Sequence, residues 1–297
     1  MKRIVIIGGG AAGLMAACTA NYIYRNGGAE ITVIEKNERP ARKLMITGKG
    51  RCNVCNNCDI DTLIANVPEN GRFLYSAFSG FAPQDTMTFF ESLGVSLKTE
   101  RGNRVFPVSD KASDIVDALV KTAKRGGAEI IQGTAKKILT ENGAVSGVLL
   151  ENGEALPADS VILATGGMSY PLTGSTGDGY KIARALGHTV TEIKPSLVAL
   201  NAHEGFCERL AGLSLKNVAL SVFRGQENLC FSSSAKYFYP FRNIGTFGIK
   251  RVGTYAVYRQ KQYTAAIDLK PGLTPEQLDK RILRDFDEEK PRFHKFA

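Results

Sequence analysis

The sequence predicts an α/β fold in which a parallel sheet binds a dinucleotide, followed by a smaller β-rich domain. An apolar, β-branched run at residues 4–7 leads directly into the glycine-rich turn 8–13 and then into a helical pattern that continues to about residue 25. A second apolar run, residues 31–34, ends at the acid Glu35. Strand, glycine turn, helix, strand and acid in this order form a Rossmann-like βαβ unit, which is far more specific than the glycine pattern alone.

The glycine turn has a predicted role at each position. Gly8 permits the tight turn, Gly10 lets a pyrophosphate approach the backbone, and Gly13 lets the helix pack closely on the strand. The free N–H groups and the dipole of the helix attract phosphates. Glu35 is expected to accept hydrogen bonds from ribose hydroxyls, and the alternative is a turn that binds no nucleotide. The binding residues predicted in this unit are Gly8, Gly10, Ala11, Ala12, Gly13, Glu35 and Lys36.

A basic, glycine-containing loop follows at residues 42–56. It offers cations and backbone N–H groups to an anion, and Asn53 could hydrogen-bond a ring edge. The alternative is a solvated surface loop. The predicted binding residues of this loop are Arg42, Lys43, Thr47, Gly48, Gly50, Arg51, Cys52 and Asn53.

The next elements alternate between helices and strands. Helices are predicted at residues 85–93 and from a cap at Ser113 to Gly126, followed by a strand at 129–132. Runs at 135–140 and 145–150 flank Asn142-Gly143, which predicts a hairpin, and a further Asn-Gly turn at 152–153 extends it into a small meander. The predicted first domain is therefore three-layered, with this β-meander beside the sheet.

A buried strand at residues 161–164 ends in Thr165-Gly166-Gly167, which lets the chain pass close to the dinucleotide. Asp178 is predicted to cap the helix that Gly187 ends. From residue 189 the pattern becomes β-rich, and a domain boundary is placed near Pro195. The predicted domains are 1–194, which binds the dinucleotide, and 195–297, an incomplete β-rich substrate domain. Thr274 opens a capping box for a last helix with a predicted buried face at Leu278, Ile282, Leu283 and Phe286.

Four segments in order resemble one family. They are the glycine unit with Glu35, the loop 42–56, residues 104–112 (RVFPVSDKA) and residues 164–180 (ATGGMSYPLTGSTGDGY). Together they resemble the BaiN-type (YhiN-like) FAD-dependent oxidoreductases, also called aminoacetone-oxidase-like flavoproteins, over residues 1–229 and again from about residue 260. The resemblance implies FAD as cofactor, with the loop 42–56 against it. It also implies that the backbone near Ala135 contacts the adenine.

Two departures from the family stand out. The sequence of residues 231–257 does not resemble the corresponding segment of the family. Plausible codons for this segment, translated one nucleotide out of frame, can encode a family-like peptide. We therefore hypothesise that the segment is frame-shifted. Members of the family also continue for about another hundred residues beyond the position of Ala297, where a glycine-rich segment covers the flavin. The sequence therefore leaves two functional hypotheses. One is an active flavoprotein, and the other is a truncated, catalytically impaired dinucleotide-binding protein.

Composition argues against several other classes. The chain has 297 residues and a formal charge of +9, but its Lys and Arg residues are spread out, so an anionic cofactor accounts for the charge and no nucleic-acid partner is predicted. No apolar run approaches the roughly 18 residues that a membrane span needs, and no signal peptide is recognised. A cytoplasmic location is expected. The sequence gives no indication of the oligomeric state.

Cys52, Cys55 and Cys58 form C-x-x-C-x-x-C, a spacing found in metal and iron–sulfur sites. No fourth cysteine follows closely, so free thiols are favoured and no metal is predicted. A redox-active Cys52–Cys55 pair is the alternative. The lone His188 is given a structural role.

The leading hypothesis is an FAD-binding oxidoreductase that acts on an unidentified small molecule, with NAD(P)H or a similar donor. The flavin would carry the redox chemistry. Arg51 and Asn53 are predicted near the flavin or pyrophosphate, and Tyr170 is a weaker candidate facing the substrate. No catalytic side chain is assigned.

Overall fold

The computed structural model describes residues 1–24, 27–67, 70–193, 200–201, 214–215, 218–224, 226–232, 236–239, 243–246 and 264–293. The chain divides into two compact units, Met1–Glu192 and Ile193–Ala297. The predicted functional domains 1–194 and 195–297 stay predictions. The frame-shift hypothesis for residues 231–257 falls mostly outside the described residues. None of the described helices combines the length and apolar content that a membrane crossing requires.

The first unit alternates strands with helices. Its strands are β1 (Lys2–Ile7), β2 (Ala29–Glu35), β3 (Leu97–Glu100), β4 (Arg104–Pro107), β5 (Glu129–Gln132), β6 (Ala135–Glu141), β7 (Ala144–Leu150), β8 (Ala155–Pro157) and β9 (Ser160–Leu163). Its helices are α1 (Ala11–Ile23), α2 (Arg42–Ile46), α3 (Ile60–Ala65), α4 (Tyr75–Gly80), α5 (Pro83–Ser92), α6 (Ala112–Arg125) and α7 (Asp178–Ala185), with 3₁₀ turns at Thr47–Gly50, Gly71–Leu74 and Pro171–Thr173.

Four parallel strands form the central sheet in the order β5-β2-β1-β9. The alternate side chains of β1 pack into two cores on opposite faces. Ile4 and Ile6 pack with the core formed by α1 and α6, whereas Val5 and Ile7 pack with Val148 of the meander. Burial on both faces explains why β1 is a continuous apolar run. The predicted α/β class with three layers is confirmed.

The meander β6-β7-β8 is antiparallel, as predicted. Its first turn has Asn142 at φ 53° and Gly143 at φ 78°. Positive φ at both central residues is the requirement of the tight hairpin turn that an Asn-Gly pair favours.

Two predicted helix caps are wrong. Helix α6 begins at Ala112 after Lys111, so Ser113 lies inside the first turn. Helix α7 is preceded by Gly177, and Asp178 is its first residue. The carboxylate of Asp178 does not cap the helix because it binds Lys36 and Thr176 instead.

The second unit contains antiparallel sheets. Its described elements are β10 (Leu200–Asn201), β11 (Ser214–Leu215), β12 (Ala219–Arg224), β13 (Glu227–Ser232), β14 (Lys236–Tyr239), β15 (Asn243–Thr246), β16 (Thr264–Asp268) and α8 (Pro275–Phe293). The sheet orders are β10-β15-β14-β11 and β13-β12-β16.

The capping box that begins α8 is confirmed. Thr274 N–H donates to Gln277 Oε1 at 3.0 Å, and Gln277 N–H donates to Thr274 Oγ1 at 3.3 Å. The predicted buried face of this helix is wrong, because Ile282, Leu283 and Phe286 are 44%, 58% and 60% exposed.

Candidate dinucleotide-binding site

A cavity of about 600 Å³ lies at the carboxyl ends of the four parallel strands. Ile7, Glu35 and Leu163 end β1, β2 and β9, and Gly133 directly follows β5; all four residues line the cavity. Strand β1 has β2 as its neighbour on one side and β9 on the other, so the strand order reverses at β1. Ligands of open α/β sheets bind at such a reversal of strand order.

Three of the four glycines in the turn 8–13 differ in how much room their surroundings leave for a side chain. Gly8 has φ +109°, and a Cβ atom there would lie 2.5 Å from the carbonyl oxygen of Ala164. A Cβ at Gly13 would overlap the carbonyl oxygen of Gly8. Gly10 is different: its φ of −80° suits any L-residue, and a Cβ there would meet no atom within 4 Å. The fold therefore requires Gly8 and Gly13, while the space above Gly10 belongs to the cavity.

The amino end of α1 forms one wall of this cavity through Gly10, Ala11 and Ala12. The first intrahelical bond of this thirteen-residue helix is donated by Leu14 N–H to Gly10 O at 2.9 Å. Within the described chain, no acceptor binds the N–H groups of Ala11 and Ala12, and the first turn carries no acidic residue. The wall thus offers hydrogen-bond donors and the positive end of a helix dipole.

Glu35 is 8% exposed, and its carboxylate is held by the protein. Oε2 accepts from Gly9 N–H at 2.8 Å, and Oε1 accepts from the N–H and the side-chain Nδ2 of Asn37 at 2.8 and 2.6 Å. These bonds tie the glycine turn to the end of β2. Because a carboxylate oxygen has two lone pairs, Oε2 can accept one more bond at the cavity wall. The predicted ribose contact of Glu35 stays a prediction.

Lys36 connects the end of β2 to the start of α7. Its Nζ lies 2.7 Å from Asp178 Oδ2 and donates to Thr176 Oγ1 at 2.6 Å. The hydrogen bond from Lys36 is the main reason that the pKa of Asp178 is below its usual value. Lys36 lines the cavity, and its ammonium is engaged by this ion pair.

Two cations of α2 also line the cavity, together with Thr47. Arg42 Nη1 donates to Asn37 Oδ1 at 3.1 Å. Lys43 Nζ donates to the carbonyl oxygen of Ser169 at 2.7 Å, which joins α2 to the loop after β9. These side chains place positive charge beside the amino end of α1.

The later part of the loop 42–56 contacts β3, β4 and the turn that follows β4. Arg51 Nη1 lies 2.8 Å from Glu100 Oε1 and 3.2 Å from Asp110 Oδ1, and its guanidinium carbon stands 4.0 Å from the ring centroid of Phe106. Hydrogen bonds from Lys98 and Arg51 lower the pKa of Asp110, and the bond from Lys98 has the larger effect. Val54 N–H extends the attachment by donating to the carbonyl oxygen of Val105 in β4.

The structure thus brings most of the predicted residues together and leaves a minority outside. The cavity lining includes Gly8, Gly10, Ala11, Ala12, Glu35, Lys36, Arg42, Lys43, Thr47, Ala135, Thr165 and Gly166. It does not include Gly13, Gly48, Gly50, Arg51, Cys52, Asn53 or Gly167. The predicted cofactor contacts of this second group, and of Tyr170, stay predictions.

Cys18, Cys52, Cys55 and Cys58 are free thiols. Burial raises the pKa of the Cys52 thiol, which is 1% exposed. Burial, with a smaller contribution from Cys58, raises the pKa of Cys55 to about 11. A raised pKa reduces the reactive thiolate, so this environment does not favour redox exchange between Cys52 and Cys55. Within the described residues, no group of three or more His, Cys, Asp or Glu side chains could hold a metal ion.

Several polar residues of the cavity were not predicted from the sequence as binding residues, among them Asn37 and Ser175. Asn37 joins Glu35, Arg42 and the carbonyl oxygen of Thr173. Ser175 is 7% exposed. The only local signal for Ser175 was its position in the small-residue stretch 173–179.

The chain matches one family model and is similar to several enzymes with different names. The family described as HI0933-like protein Rossmann domain matches residues 2–278. The 3-dehydro-bile acid delta(4,6)-reductase of Clostridium scindens is 31% identical over 290 residues, which are 97% of this chain and 69% of that protein. The ribosomal RNA dihydrouridine synthase of Escherichia coli is 30% identical over 236 residues, which are 77% of this chain and 56% of that protein.

A third relative, the ribosomal RNA dihydrouridine synthase of Haemophilus influenzae, is 26% identical over 279 residues and is covered to 65% of its length. Among solved structures, L-proline dehydrogenase from P. horikoshii aligns over 96% of this chain and 76% of its own, with 15% identity and a TM-score of 0.44. This chain therefore spans between 56% and 69% of the length of the three sequence relatives.

These matches confirm the family predicted from the four segments. They favour an oxidoreductase over the impaired nucleotide-binding protein that was its alternative. The chain belongs to the HI0933-like Rossmann-domain family of flavin-dependent oxidoreductases.

Proposed function

We propose that the cavity binds FAD and that the protein uses it to reduce a carbon–carbon double bond conjugated with a carbonyl group. The observation that carries the cofactor assignment is Gly10. It is the one glycine of the turn that the packing does not require, and it stands where the donors at the amino end of α1 meet open cavity.

The residues present fit a dinucleotide. The N–H groups of Ala11 and Ala12 would bind the pyrophosphate, with Arg42 and Lys43 adding positive charge. Glu35 would accept from a ribose hydroxyl, and the backbone at Ala135 would contact the adenine. Thr165 and Gly166 would line the opposite side. We also retain the predicted contacts of residues 48–53 as part of this proposal, at the edge of the site.

The names of two relatives suggest the reaction. A 3-dehydro bile acid with delta(4,6) unsaturation has double bonds conjugated with its 3-oxo group, and dihydrouridine differs from uridine by saturation of a double bond conjugated with a ring carbonyl. FAD, when bound and reduced by a nicotinamide donor, would supply a hydride to the double bond, and a proton from solvent would complete the saturated product. The protein binds and orients the cofactor. We propose a small-molecule enone as substrate and residues 195–297 as part of the domain that binds it.

RNA is the second candidate substrate. Two relatives are named as ribosomal RNA enzymes, and this chain has a formal charge of +9. In the second unit, a surface cavity of about 450 Å³ is lined by Lys280, Arg281 and Arg284 with Leu273 and Gln277. Such a cationic face suits a phosphate backbone. The prediction of no nucleic-acid partner therefore needs a direct test.

We place the reaction in the cytoplasm, because the described free thiols are typical of a reducing compartment.

The first experiment is the visible spectrum of the purified chain before and after reconstitution with FAD. We expect flavin absorbance that NADH or NADPH bleaches under anaerobic conditions. Reoxidation by a conjugated steroid enone would identify the small-molecule substrate. Formation of dihydrouridine in unmodified ribosomal RNA, detected by mass spectrometry, would identify the RNA substrate. A chain that is folded but retains no FAD after reconstitution contradicts the proposal.

A further inference from the structure

Ser175 carries a buried hydroxyl without a partner in the described part of the chain. The residue is 7% exposed and lines the cavity. Its neighbours are satisfied: Thr173 Oγ1 donates to Tyr170 O at 2.7 Å, and Thr176 Oγ1 donates to Asp178 Oδ2 at 2.7 Å. A buried hydroxyl that makes no hydrogen bond destabilises the folded protein, so it is usually paired with protein, water or ligand.

The segment that carries Ser175 lies across the end of the sheet. On one side, the Ser175 hydroxyl packs against Gly166 after β9, where a Cβ would stand only 2.9 Å from Ser175 Oγ. On the other side, Asn37 Nδ2 donates to Thr173 O at 3.3 Å beyond the end of β2. Ser175 therefore lines the same cavity as the glycine turn, at the end of a sheet in which β1 lies between β2 and β9.

We propose that the Ser175 hydroxyl hydrogen-bonds the adenosine diphosphate half of the cofactor. This inference rests on the proposed function. The segment that carries Ser175 contacts residues just beyond Glu35, which is proposed to hold the ribose. The amino end of α1, which is proposed to hold the pyrophosphate, lines the same cavity. A serine hydroxyl can donate to a phosphate or ribose oxygen and can accept from a ribose hydroxyl. Ser175 is thus a ligand-binding residue outside the glycine turn.

The test compares Ser175→Ala with the unaltered chain, using ADP and FAD as separate ligands in calorimetric titrations. We expect the affinity for both ligands to fall by about fivefold to tenfold, as for the loss of one hydrogen bond. The melting temperature of the ligand-free protein should not fall, because the variant removes an unsatisfied buried group. These two readouts change independently of turnover.

A matched control is Ser92→Ala, which removes a hydroxyl that donates to Phe89 O at 2.7 Å away from the cavity. It should leave both affinities unchanged. If the alanine variant fails to fold, Ser175→Cys keeps the shape of the side chain at a slightly larger volume and replaces the hydroxyl by a weak donor. It should weaken the binding of both ligands in the same way.

Two results would overturn the inference: an ADP affinity equal to that of the unaltered chain, or a lower melting temperature of the ligand-free variant. Weaker binding of FAD alone would also overturn it, because the contact would then lie outside the ADP half. If the unaltered chain binds neither FAD nor ADP, the proposed function itself fails. If it binds both and Ser175→Ala changes nothing, only the role of Ser175 is rejected.

Discussion

At the scale of single residues, two glycines of one turn have different roles: Gly13 is needed for folding, and Gly10 is proposed to be needed for ligand binding. Gly13 has no room for a side chain because the carbonyl oxygen of Gly8 occupies the place of its Cβ. Gly10 has room and an ordinary backbone conformation, and it occupies the position that precedes α1. Serine is favoured there as a helix cap, so the two positions should respond oppositely to substitution.

We predict that Gly10→Ser folds as well as the unaltered chain, within about 0.5 kcal/mol or slightly more stable. Its affinity for FAD should fall at least about tenfold, because the new side chain fills the cavity and its hydroxyl caps the N–H groups meant for phosphate. Gly13→Ala should instead lower the free energy of unfolding by about 2 kcal/mol through overpacking. Urea unfolding and FAD titration of both variants measure this. Unfolding of Gly10→Ser, or full FAD affinity in it, would contradict the prediction.

At the scale of elements, the pairing of β1 with β9 is fixed where β1 begins. Arg3 N–H and Nη2 donate to the two carboxylate oxygens of Asp159 at 2.8 Å each, and Asp159 N–H donates back to Arg3 O at 2.9 Å. These bonds from Arg3 lower the pKa of Asp159 to about 2. The contact sets the register of two strands that are distant in sequence.

This pKa predicts an acid-dependent stability. The folded pKa of about 2 lies below the unfolded value of about 3.9, so the unfolded chain binds more protons between these values. The stabilising effect of Asp159 is therefore complete above about pH 4 and is lost as the pH falls toward 2. We expect the difference in unfolding free energy between the unaltered chain and Asp159→Asn to shrink over this range. Asp117→Asn, an exposed position on α6, controls for the loss of one charge; a constant difference for Asp159→Asn would refute the linkage.

At the scale of the whole molecule, every residue that lines the nucleotide cavity belongs to the unit Met1–Glu192. That unit also contains both described hydrophobic cores. The proposed cofactor site therefore lies within one compact unit of the chain.

We predict that a chain ending at Glu192 unfolds cooperatively and binds ADP within about threefold of the full chain, because the ligand contacts are retained. Thermal unfolding and titration with ADP measure this, with Gly10→Ser in the short chain as the negative control. A short chain that does not fold, or that binds ADP more than about tenfold more weakly, would show that residues 193–297 are needed to form the site.

Sequence reasoning succeeded where the determinants are local or periodic. The βαβ unit, the Asn142-Gly143 hairpin and the capping box at Thr274 each rest on residues close in the chain. It could not foresee the surroundings of Arg51, because its partners Glu100 and Asp110 lie 49 and 59 residues away. Nor could it identify Ser175, since the burial of a hydroxyl with no partner among the described residues is a property of tertiary packing.

The position of β9 in the sheet also leads us to expect a particular order of folding. Arg3 and Asp159 meet although they are 156 residues apart, so β1 is synthesised long before its second neighbour. Closing so long a loop is entropically unfavourable, and parallel pairing of this kind is intrinsically slow. During translation, β1, β2 and β5 can assemble first, but the wall that contains Thr165 and Ser175 is added last. The cofactor would thus bind only near the end of folding and could not serve as a template for the earlier steps.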